Sequence, residues 1–350
     1  MSFLKLDKYL DRLVRTSVPG IVCWIGDHKN TLFFESYGYA QRVPRRVKIR
    51  KDTIFDLASL TKPFTTAIAI MNLISQKKLS INAQVHTLIP EFKKTPNGRI
   101  TIYQLLTHTA GLPGWFPLYL LPGNIRMAFL ANTTTYQKRV EYSCLGYILL
   151  GLIIERITTT KLDTFCQRHI YQPNGLKSLR FRLRTKRNVA ATEHGDLFER
   201  NMAAEYSDQH AHTWRNYVIR GEVHDGNCFY AYDRVSGNAG LFGTAADCGR
   251  FLRLYSNGNI VPKRIFNDMV RDHTGGPEKR GLGWWVDPYP GVLSPRTFAH
   301  TGFTGTMVCV DPDTGTIVVL LTNAIHPLVR QEVKKRLRRR VVEIVAKTQP

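Results

Sequence analysis

The sequence predicts an α/β protein of the α+β type, in which an antiparallel sheet from both chain ends is flanked by helices and joined to a mainly helical region. Apolar runs of strand length concentrate near the two ends of the chain, whereas helical spacing of apolar residues dominates between them. With 350 residues, 43% of them hydrophobic, the chain can bury a large core. We expect a discontinuous sheet domain of residues 1–58 and 252–350, a helical domain of residues 59–251, and an active site between them.

The first elements are a helix and a hairpin. The opening MSFLKLDKYLDRLVRT spaces its leucines as a helix does, and it lacks the apolar stretch and cleavage site of a signal peptide. The runs GIVCWIGD and TLFFESYGY are joined by three turn residues, which predicts a β-hairpin. The missing signal peptide favours the cytoplasm; a leader removed beforehand, or unconventional export, would favour the periplasm or envelope.

Helices are predicted next, in SLTKPFTTAIAIMNLISQKK, TIYQLLTHTAG and SCLGYILLGLIIERIT. The alternating segment Leu179 to Arg184 predicts a strand with one basic face, suited either to an acidic substrate or to protecting a sheet edge. Strands follow in GLGWWVD, TFAHTG, GTMVCVDP and GTIVVLLTN. The apolar stripe of a closing helix, from about Pro327 to Lys347, favours packing on the sheet over lying on a membrane. The stripe consists of Val329, Val333, Leu337, Val341, Ile344 and Val345.

Charge is the unusual feature of the composition. Lys and Arg number 49 against 27 Asp and Glu, a net charge of +22. Most of the excess lies in residues 45–51, 177–187 and 330–340, outside the candidate catalytic residues named below. Such a charge suits nucleic acid, an anionic membrane surface or an acidic substrate. Without a helix-turn-helix or stacking-aromatic pattern, no nucleic acid is expected; peripheral association with an anionic membrane stays open.

Cysteine and histidine give little sign of a metal. The six cysteines are scattered, with no Cys-x-x-Cys pair, which favours free thiols over a zinc ribbon or disulfide scaffold. A cluster of His210, His212, His224 and Asp225 is an alternative, although its spacing is loose for a metal site. We therefore predict no metal and no other cofactor.

A candidate nucleophile lies in Ser59-Leu60-Thr61-Lys62. Residues three apart share a helix face, and a buried lysine that loses its charge could take the serine proton. The same Ser-x-x-Lys spacing recurs at Ser2 and Ser75, but Ser59 alone follows a strand-like segment and opens an apolar helix. Free N–H groups at such a helix start would stabilise an oxyanion. The alternative is a plain N-cap serine.

Further motifs follow in order: LLTHTAGLPG at 105–114, YSCLGYILLG from Tyr142, GNAGLFGTAADCGRF, and HTGFTG from His300 to Gly305. Together with LASLTKPFT around Ser59, this series resembles the serine β-lactamase and penicillin-binding protein superfamily, in its class C β-lactamase-like branch, which includes D,D-carboxypeptidases and esterases. The resemblance covers nearly the whole chain and implies a β-lactamase/transpeptidase-like fold.

The resemblance also implies catalytic roles. Ser59 would be the acylated nucleophile, Lys62 its activator and Tyr142 the second general acid/base, with Lys62 and His300 as its cationic neighbours. The backbone N–H groups of Ser59 and Phe303 would form the oxyanion hole.

Substrate contacts are implied as well, with two departures from the family pattern. His300-Thr301-Gly302 would lie on an edge strand that binds a substrate peptide as an added strand. Its histidine replaces the lysine of class C β-lactamases and favours a D,D-peptidase or esterase. Cys144 stands where the family has asparagine, and a thiol is a poor substitute for an amide.

These motifs lead to one main functional expectation and two alternatives. We expect a serine acyl-transfer hydrolase that cleaves D-Ala-D-Ala peptides of peptidoglycan stems, with weak hydrolysis of β-lactams. A carboxylesterase acting on small acyl esters is the first alternative. A non-catalytic scaffold of the same fold, suggested by the missing asparagine, is the second.

Overall fold

The computed structural model describes residues 2–133, 139–206 and 212–348. Its centre is a seven-stranded antiparallel sheet, in which the first hairpin lies beside the last strand of the chain. The strand order is β3-β2-β1-β11-β10-β9-β8. These strands are β1 (Gly20–Gly26), β2 (Thr31–Gln41), β3 (Val47–Lys48), β8 (Trp285–Val286), β9 (Phe298–Thr301), β10 (Met307–Asp311) and β11 (Thr316–Thr322). The predicted sheet from both chain ends is confirmed.

Both faces of the two central strands are covered. All seven residues of β1 and of β11 are buried. Ile21, Cys23 and Ile25 pack with helices α1 (Leu4–Thr16) and α11 (Gln331–Ala346), whereas Val22 and Trp24 face the larger core on the other side. Burial on both faces explains why these strands appear in the sequence as unbroken apolar runs.

The middle of the chain is rich in helices but also contains four short strands. The strands are β4 (Phe55–Asp56), β5 (Ala191–His194), β6 (Val218–Arg220) and β7 (Phe242–Gly243). β4 pairs with β7, and β5 pairs with β6. The helices are α2 (Ile68–Ser75), α3 (Val85–Leu88), α4 (Ile102–Leu106), α5 (Gly123–Asn132), α6 (Cys144–Thr158), α7 (Leu162–Cys166), α8 (Leu197–Ala203), α9 (Ala245–Ser256) and α10 (Lys263–Met269).

The predicted strand from Leu179 to Arg184 is wrong. A single bridge, between Arg180 and Phe242, is all that joins this segment to a strand. Its alternation is nevertheless real, because Leu179 and Phe181 are buried whereas Arg182 and Arg184 are exposed. An irregular segment can alternate in burial without a hydrogen-bonded partner.

The closing helix begins at Gln331, a few residues later than predicted, and it packs on the sheet. Leu337 and Val341 lie in the core formed with α1 and the central strands. The stripe that a membrane-surface helix would offer to lipid is therefore occupied inside the protein. No helix among the described residues is long and apolar enough to cross a membrane.

Candidate active site

Ser59 lies in a tight turn held by the strand before it. The turn, a 3-10 helix over Ala58–Leu60, follows β4 directly. Ala58 has a φ of +49°, a left-handed conformation that costs a non-glycine residue about 1–2 kcal/mol. The buried Asp56 carboxylate accepts from the Ala58 N–H at 2.8 Å and holds this turn. The strain is located directly before the candidate nucleophile.

Lys62 lies behind Ser59, in the wall of the site. It opens a π-helical turn, Lys62–Ala67, that leads into α2, and its side chain is 0% exposed. Its Nζ donates to Ser59 Oγ at 3.0 Å and to the carbonyl of Asn238 at 3.2 Å. A third contact, at 3.5 Å, goes to Cys144 Sγ. The spacing of three residues places the two side chains together as predicted.

The protonation of Lys62 differs from the prediction. Burial lowers the pKa of Lys62, but the nearby Cys144, Tyr142 and Asp225 raise it, and the balance leaves the pKa above its ordinary value. The raised pKa favours the ammonium form of Lys62, which donates to Ser59. The expectation that burial alone would discharge this lysine is wrong, because it ignored the polar groups around Nζ.

Tyr142 lies between two cations. Lys62 Nζ is 4.8 Å, and the Arg280 guanidinium 5.4 Å, from the centre of its ring. His300 faces the ring at 6.0 Å, but burial, followed by Lys62 and Arg280, holds the pKa of His300 well below its ordinary value. The expectation that His300 contributes positive charge is wrong; the second cation beside Tyr142 is Arg280.

Cys144 is the first residue of α6 and follows Ser143, whose hydroxyl caps this helix by accepting from the N–H of Gly146. Burial raises the pKa of the Cys144 thiol, although Lys62 opposes the shift. A protonated thiol is a weak nucleophile. The structure therefore places Cys144 as a polar neighbour of Lys62, where the family has an amide.

The end of β9 is open on one side. The two residues of β8 pair only with Phe298 and Ala299, so that His300 and Thr301 extend beyond this short strand. The predicted edge position needs a correction: β8 is the edge strand, and the His300–Thr301 end of β9 projects past it. The backbone groups of His300 face Val308 of β10, whereas those of Thr301 face the open side. The Thr301 N–H can therefore pair with an extended peptide, and the Thr301 carbonyl, which accepts from His300 Nδ1 at 3.0 Å, lies on the same side.

The loop of residues 302–306 joins β9 to β10 and lies directly against the Ser59 turn. Thr304 Oγ1 donates to the carbonyl of Asp56 at 2.8 Å, and Thr306 Oγ1 donates to that of Leu57 at 3.1 Å. A Cβ at Gly302 would lie 2.1 Å from Thr306 Oγ1 and 2.6 Å from the Leu57 carbonyl oxygen. Glycine is required because two backbone segments approach this closely.

Two cations of α11 reach the same loop. Lys334 Nζ donates to the carbonyl of Phe303 at 2.7 Å, and Arg338 donates to the carbonyls of Gly302 and Thr306. Lys334 is only 3% exposed, and burial lowers its pKa to about 7. The basic stretch 330–340 is thus partly structural, and two of its cations lie beside the candidate site.

These parts surround a cavity of about 620 Å³. Seven of the eight predicted site residues line it, and the eighth, Lys62, lies immediately behind Ser59. The seven are Ser59, Tyr142, Cys144, His300, Thr301, Gly302 and Phe303. The structure therefore brings together residues that are separated by more than 200 positions in the sequence.

The cavity carries opposite charges on different parts of its wall. Arg280, Lys334, Lys335 and Arg338 supply the basic part. Asp225 supplies the acidic part, and Glu199 lines the same cavity as a carboxyl group whose neutral form is favoured, because burial, followed by the charge of Asp225, raises the pKa of Glu199 well above its ordinary value. A zwitterionic or anionic ligand meets complementary charge in this cavity.

The histidines considered for a metal site have other contacts. His224 bonds through a ring nitrogen to Glu193 at 2.9 Å and stacks on the Phe303 ring. His212 packs among aromatic rings, whereas His210 lies outside the described residues. Within the described ranges, no group of three or more His, Cys, Asp or Glu side chains is arranged to hold a metal.

Several site residues were not identified from the sequence. Asp56, Asn238 and Arg280 carry no local signal, because each acts through contacts with residues distant in the chain. Lys334 and Arg338 do carry a local signal in the sequence, because they are four residues apart on a helix and flank the apolar Leu337. That spacing places both cations on the buried side of α11.

The chain matches the family model described as "Beta-lactamase" over residues 6–343. With this fold, and with a serine and a lysine in hydrogen-bond contact, it belongs to the β-lactamase family of hydrolases. All the described cysteines are free. Ser59, the Tyr142–Cys144 segment and the His300–Gly302 segment meet in one cavity.

Relatives and solved structures agree with this assignment. The chain is 29% identical to "N-acetylmuramyl-L-alanine amidase" of Bacillus subtilis (strain 168), covering 92% of this chain and 81% of that protein. It is 30% identical to "Putative D-alanyl-D-alanine carboxypeptidase" of Salmonella gallinarum (strain 287/91 / NCTC 13346), covering 92% and 82%.

Two solved structures share the fold. "EstCE1, a hydrolase with promiscuous acyltransferase activity" superposes with a TM-score of 0.75 at 22% identity, covering 97% of this chain and 98% of that one. An octameric penicillin-binding protein homologue from Pyrococcus abyssi gives 0.70 at 21% identity, covering 92% and 74%.

Proposed function

We propose that this chain is a serine acyl-transfer hydrolase of the D,D-carboxypeptidase type, which cleaves peptides ending in D-Ala-D-Ala. The observation that carries the proposal is the contact of 3.0 Å between Lys62 Nζ and Ser59 Oγ at the wall of the cavity. Two features support a peptide substrate over other acyl compounds. The Thr301 backbone extends beyond the paired part of β8 and faces the side where an extended chain could lie, and Arg280 and Lys335 supply positive charge for a terminal carboxylate.

In the proposed reaction, Ser59 Oγ forms a bond to the carbonyl carbon of the penultimate D-Ala. The serine proton passes to Tyr142 and then to the nitrogen of the terminal D-Ala, which leaves as the C–N bond breaks. Water attacks the resulting ester, releases the shortened peptide and restores the serine hydroxyl. Tyr142 accepts the serine proton as a phenolate and becomes a neutral phenol, while Lys62, as an ammonium, orients Ser59 and stabilises the phenolate before the transfer.

The N–H groups of Ser59 and Phe303 serve as the oxyanion donors in this scheme, and one such donor contributes about 3–4 kcal/mol to the barrier. Contacts of Thr304 and Thr306 with the backbone before Ser59 support the assignment, because they fix the distance between the two segments that carry these N–H groups.

Release of D-Ala from a tripeptide ending in D-Ala-D-Ala tests the proposal. We expect turnover by the wild type and none by Ser59→Ala, with the L-Ala-L-Ala peptide as the stereochemical control. Absence of D-Ala release by a folded wild-type protein that still reacts with an acylating probe would overturn the peptidase assignment and leave the acyl-transfer chemistry intact.

A carboxylesterase is the second candidate. The observation that favours it is the apolar part of the cavity wall, where Trp115, Phe198, Met202 and Trp285 can pack against an acyl chain. Turnover of nitrophenyl esters without peptide cleavage would favour this candidate. A protein that reacts with neither substrate nor probe would instead be a scaffold of the same fold.

A further inference from the structure

Two basic side chains of α11 donate to carbonyls of the loop of residues 302–306, in addition to the contacts that Thr304 and Thr306 make with the Ser59 turn. Arg338 on α11 donates to the carbonyls of Gly302 and Thr306, and Lys334, one turn earlier, donates to that of Phe303. Both side chains also line the cavity. The two side chains therefore contact the loop that carries the Phe303 N–H, which is proposed as an oxyanion donor together with the N–H of Ser59.

The hydrogen bond from Arg338 to the Gly302 carbonyl acts on the peptide group that carries the Phe303 N–H. A single peptide group links residues 302 and 303: its oxygen belongs to Gly302, and its N–H belongs to Phe303. A donor on the oxygen withdraws electron density from the amide and strengthens the N–H as a donor in turn. The guanidinium thus acts on the back of the peptide whose N–H is the proposed oxyanion donor.

No carboxylate neutralises this pair within the described part of the chain. The contacts of Arg338 and Lys334 are carbonyl oxygens and, for Lys334, the ring of Phe303 at 3.9 Å. Burial is costly for such cations, and it lowers the pKa of Arg338 to about 10, which still leaves the guanidinium charged at neutral pH. The full positive charge therefore acts on the 302–303 peptide.

We propose that Arg338 is a positioning residue for the oxyanion hole: it fixes and polarises the 302–303 peptide so that the Phe303 N–H binds the developing oxyanion more strongly. Lys334 supports the same loop through the next carbonyl. This inference rests on the proposed acyl-transfer function, and it assigns to α11 a role in transition-state stabilisation instead of in sheet packing alone.

The test compares the infrared stretch of the acyl-enzyme carbonyl in the wild type and in variants. A penicillin labelled with ¹³C at its lactam carbonyl is allowed to acylate Ser59, and the isotope-shifted ester stretch is measured by difference infrared spectroscopy. We expect Arg338→Met to move this stretch to higher wavenumber and to lower kcat about tenfold to a hundredfold, with KM changed less than threefold. Arg338→Lys, which keeps a cation, should recover part of both effects.

Arg336→Met is the matched control, because it removes the same charge from an exposed position of the same helix. It should leave the stretch and kcat unchanged. If Arg338→Met does not fold, Arg338→Lys and Lys334→Met carry the test, and an unshifted carbonyl stretch in both would overturn the proposal.

Direct binding of the substrate carboxylate by Arg338 is the competing role. It would raise KM for a substrate with a free C-terminal carboxylate and leave the matching amide unaffected, which would overturn the positioning role. The proposed role lowers kcat equally for both. Failure of the wild type to form any acyl adduct would contradict the proposed function itself. An acyl adduct whose carbonyl stretch is the same in wild type and Arg338→Met would contradict this inference alone.

Discussion

The two walls of the catalytic cavity work by different means. The helical wall, defined by Ser59, Lys62, Tyr142 and Cys144, presents side chains. The sheet wall, defined by the end of β9 and the loop 302–306, presents backbone groups. Ser59 and Lys62 are placed by a spacing of three residues, and Tyr142 and Cys144 by the start of α6, whereas the backbone of the sheet wall is placed by contacts from the β4 segment and α11. Substitutions on the two walls should therefore lower the activity in different ways.

The largest effect is expected on the helical wall. Lys62→Met removes the ammonium that orients Ser59 and should lower the rate of Ser59 acylation by about 10³-fold. Rapid-mixing measurements with a chromogenic acylating substrate check the loss. Lys78→Met is the control, because Lys78 completes the Ser-x-x-Lys spacing from Ser75 in an exposed position. If the acylation rate of Lys62→Met lies within threefold of the wild-type rate, Lys62 has no essential role in the mechanism.

The next effect concerns the sheet wall. Gly302→Ala places a methyl group against Thr306 Oγ1 and the Leu57 carbonyl, and it should displace the Phe303 N–H. We expect kcat to fall by about 10²- to 10³-fold, the value of one oxyanion donor. Steady-state kinetics test this, with Gly123→Ala as the control, since a Cβ there meets nothing within 4 Å. Unchanged kcat would show that the close approach at Gly302 has no catalytic role.

A third prediction uses the neutral state of His300. Burial, then Lys62 and Arg280, lowers the native pKa of His300 well below its ordinary value, so that the unfolded chain binds a proton below about pH 6.5 and the folded chain does not. The histidine therefore contributes less stability as pH falls below about 6.5. The difference in free energy of unfolding between wild type and His300→Gln should drop by about 1.4 kcal/mol per pH unit there.

Urea unfolding at pH 7.5, 6.5 and 5.5 measures that difference. The matched control is His28→Gln, which makes the same substitution at an exposed histidine. A constant difference for His300→Gln would mean that the pKa of His300 is the same in the folded and the unfolded chain, which would contradict the lowered pKa.

The smallest effect is expected at Cys144. Its thiol lies 3.5 Å from Lys62 Nζ and is a weak hydrogen-bond partner, so Cys144→Asn should change kcat/KM by less than about tenfold. Cys144→Ser controls for loss of the sulfur. A change of a thousandfold in either variant would show that the thiol itself takes part in the chemistry, and would place Cys144 beside Ser59 in importance.

The difference between the walls also explains what could be read from the sequence. The pairing of Ser59 with Lys62 follows from a spacing of three residues, and the long apolar runs of β1 and β11 identify the central strands. Asp56 and Arg338 could not be assigned in this way, because their roles depend on segments that meet only in three dimensions. The division of the chain at residues 58 and 251 remains a prediction.

The charges of individual side chains were also predicted incorrectly from the sequence. At Lys62 the neighbouring groups outweigh burial and raise the pKa, whereas at His300 burial, followed by Lys62 and Arg280, lowers the pKa, so residue type and expected burial together do not predict both charges. The basic stretch 330–340 was likewise treated as separate from the site, although Lys334 and Arg338 contact the loop beside Ser59. Net charge therefore gave no guide to which individual cations matter.

Acylation of Ser59 is the central claim, and intact-protein mass spectrometry tests it most directly. Wild-type protein and Ser59→Ala are each incubated with a penicillin and, separately, with a fluorophosphonate probe, and modified peptides are mapped. We expect one adduct on the wild-type protein, located at Ser59, and none on Ser59→Ala. An adduct that persists on Ser59→Ala, or a folded wild-type protein that reacts with neither probe, would contradict this claim.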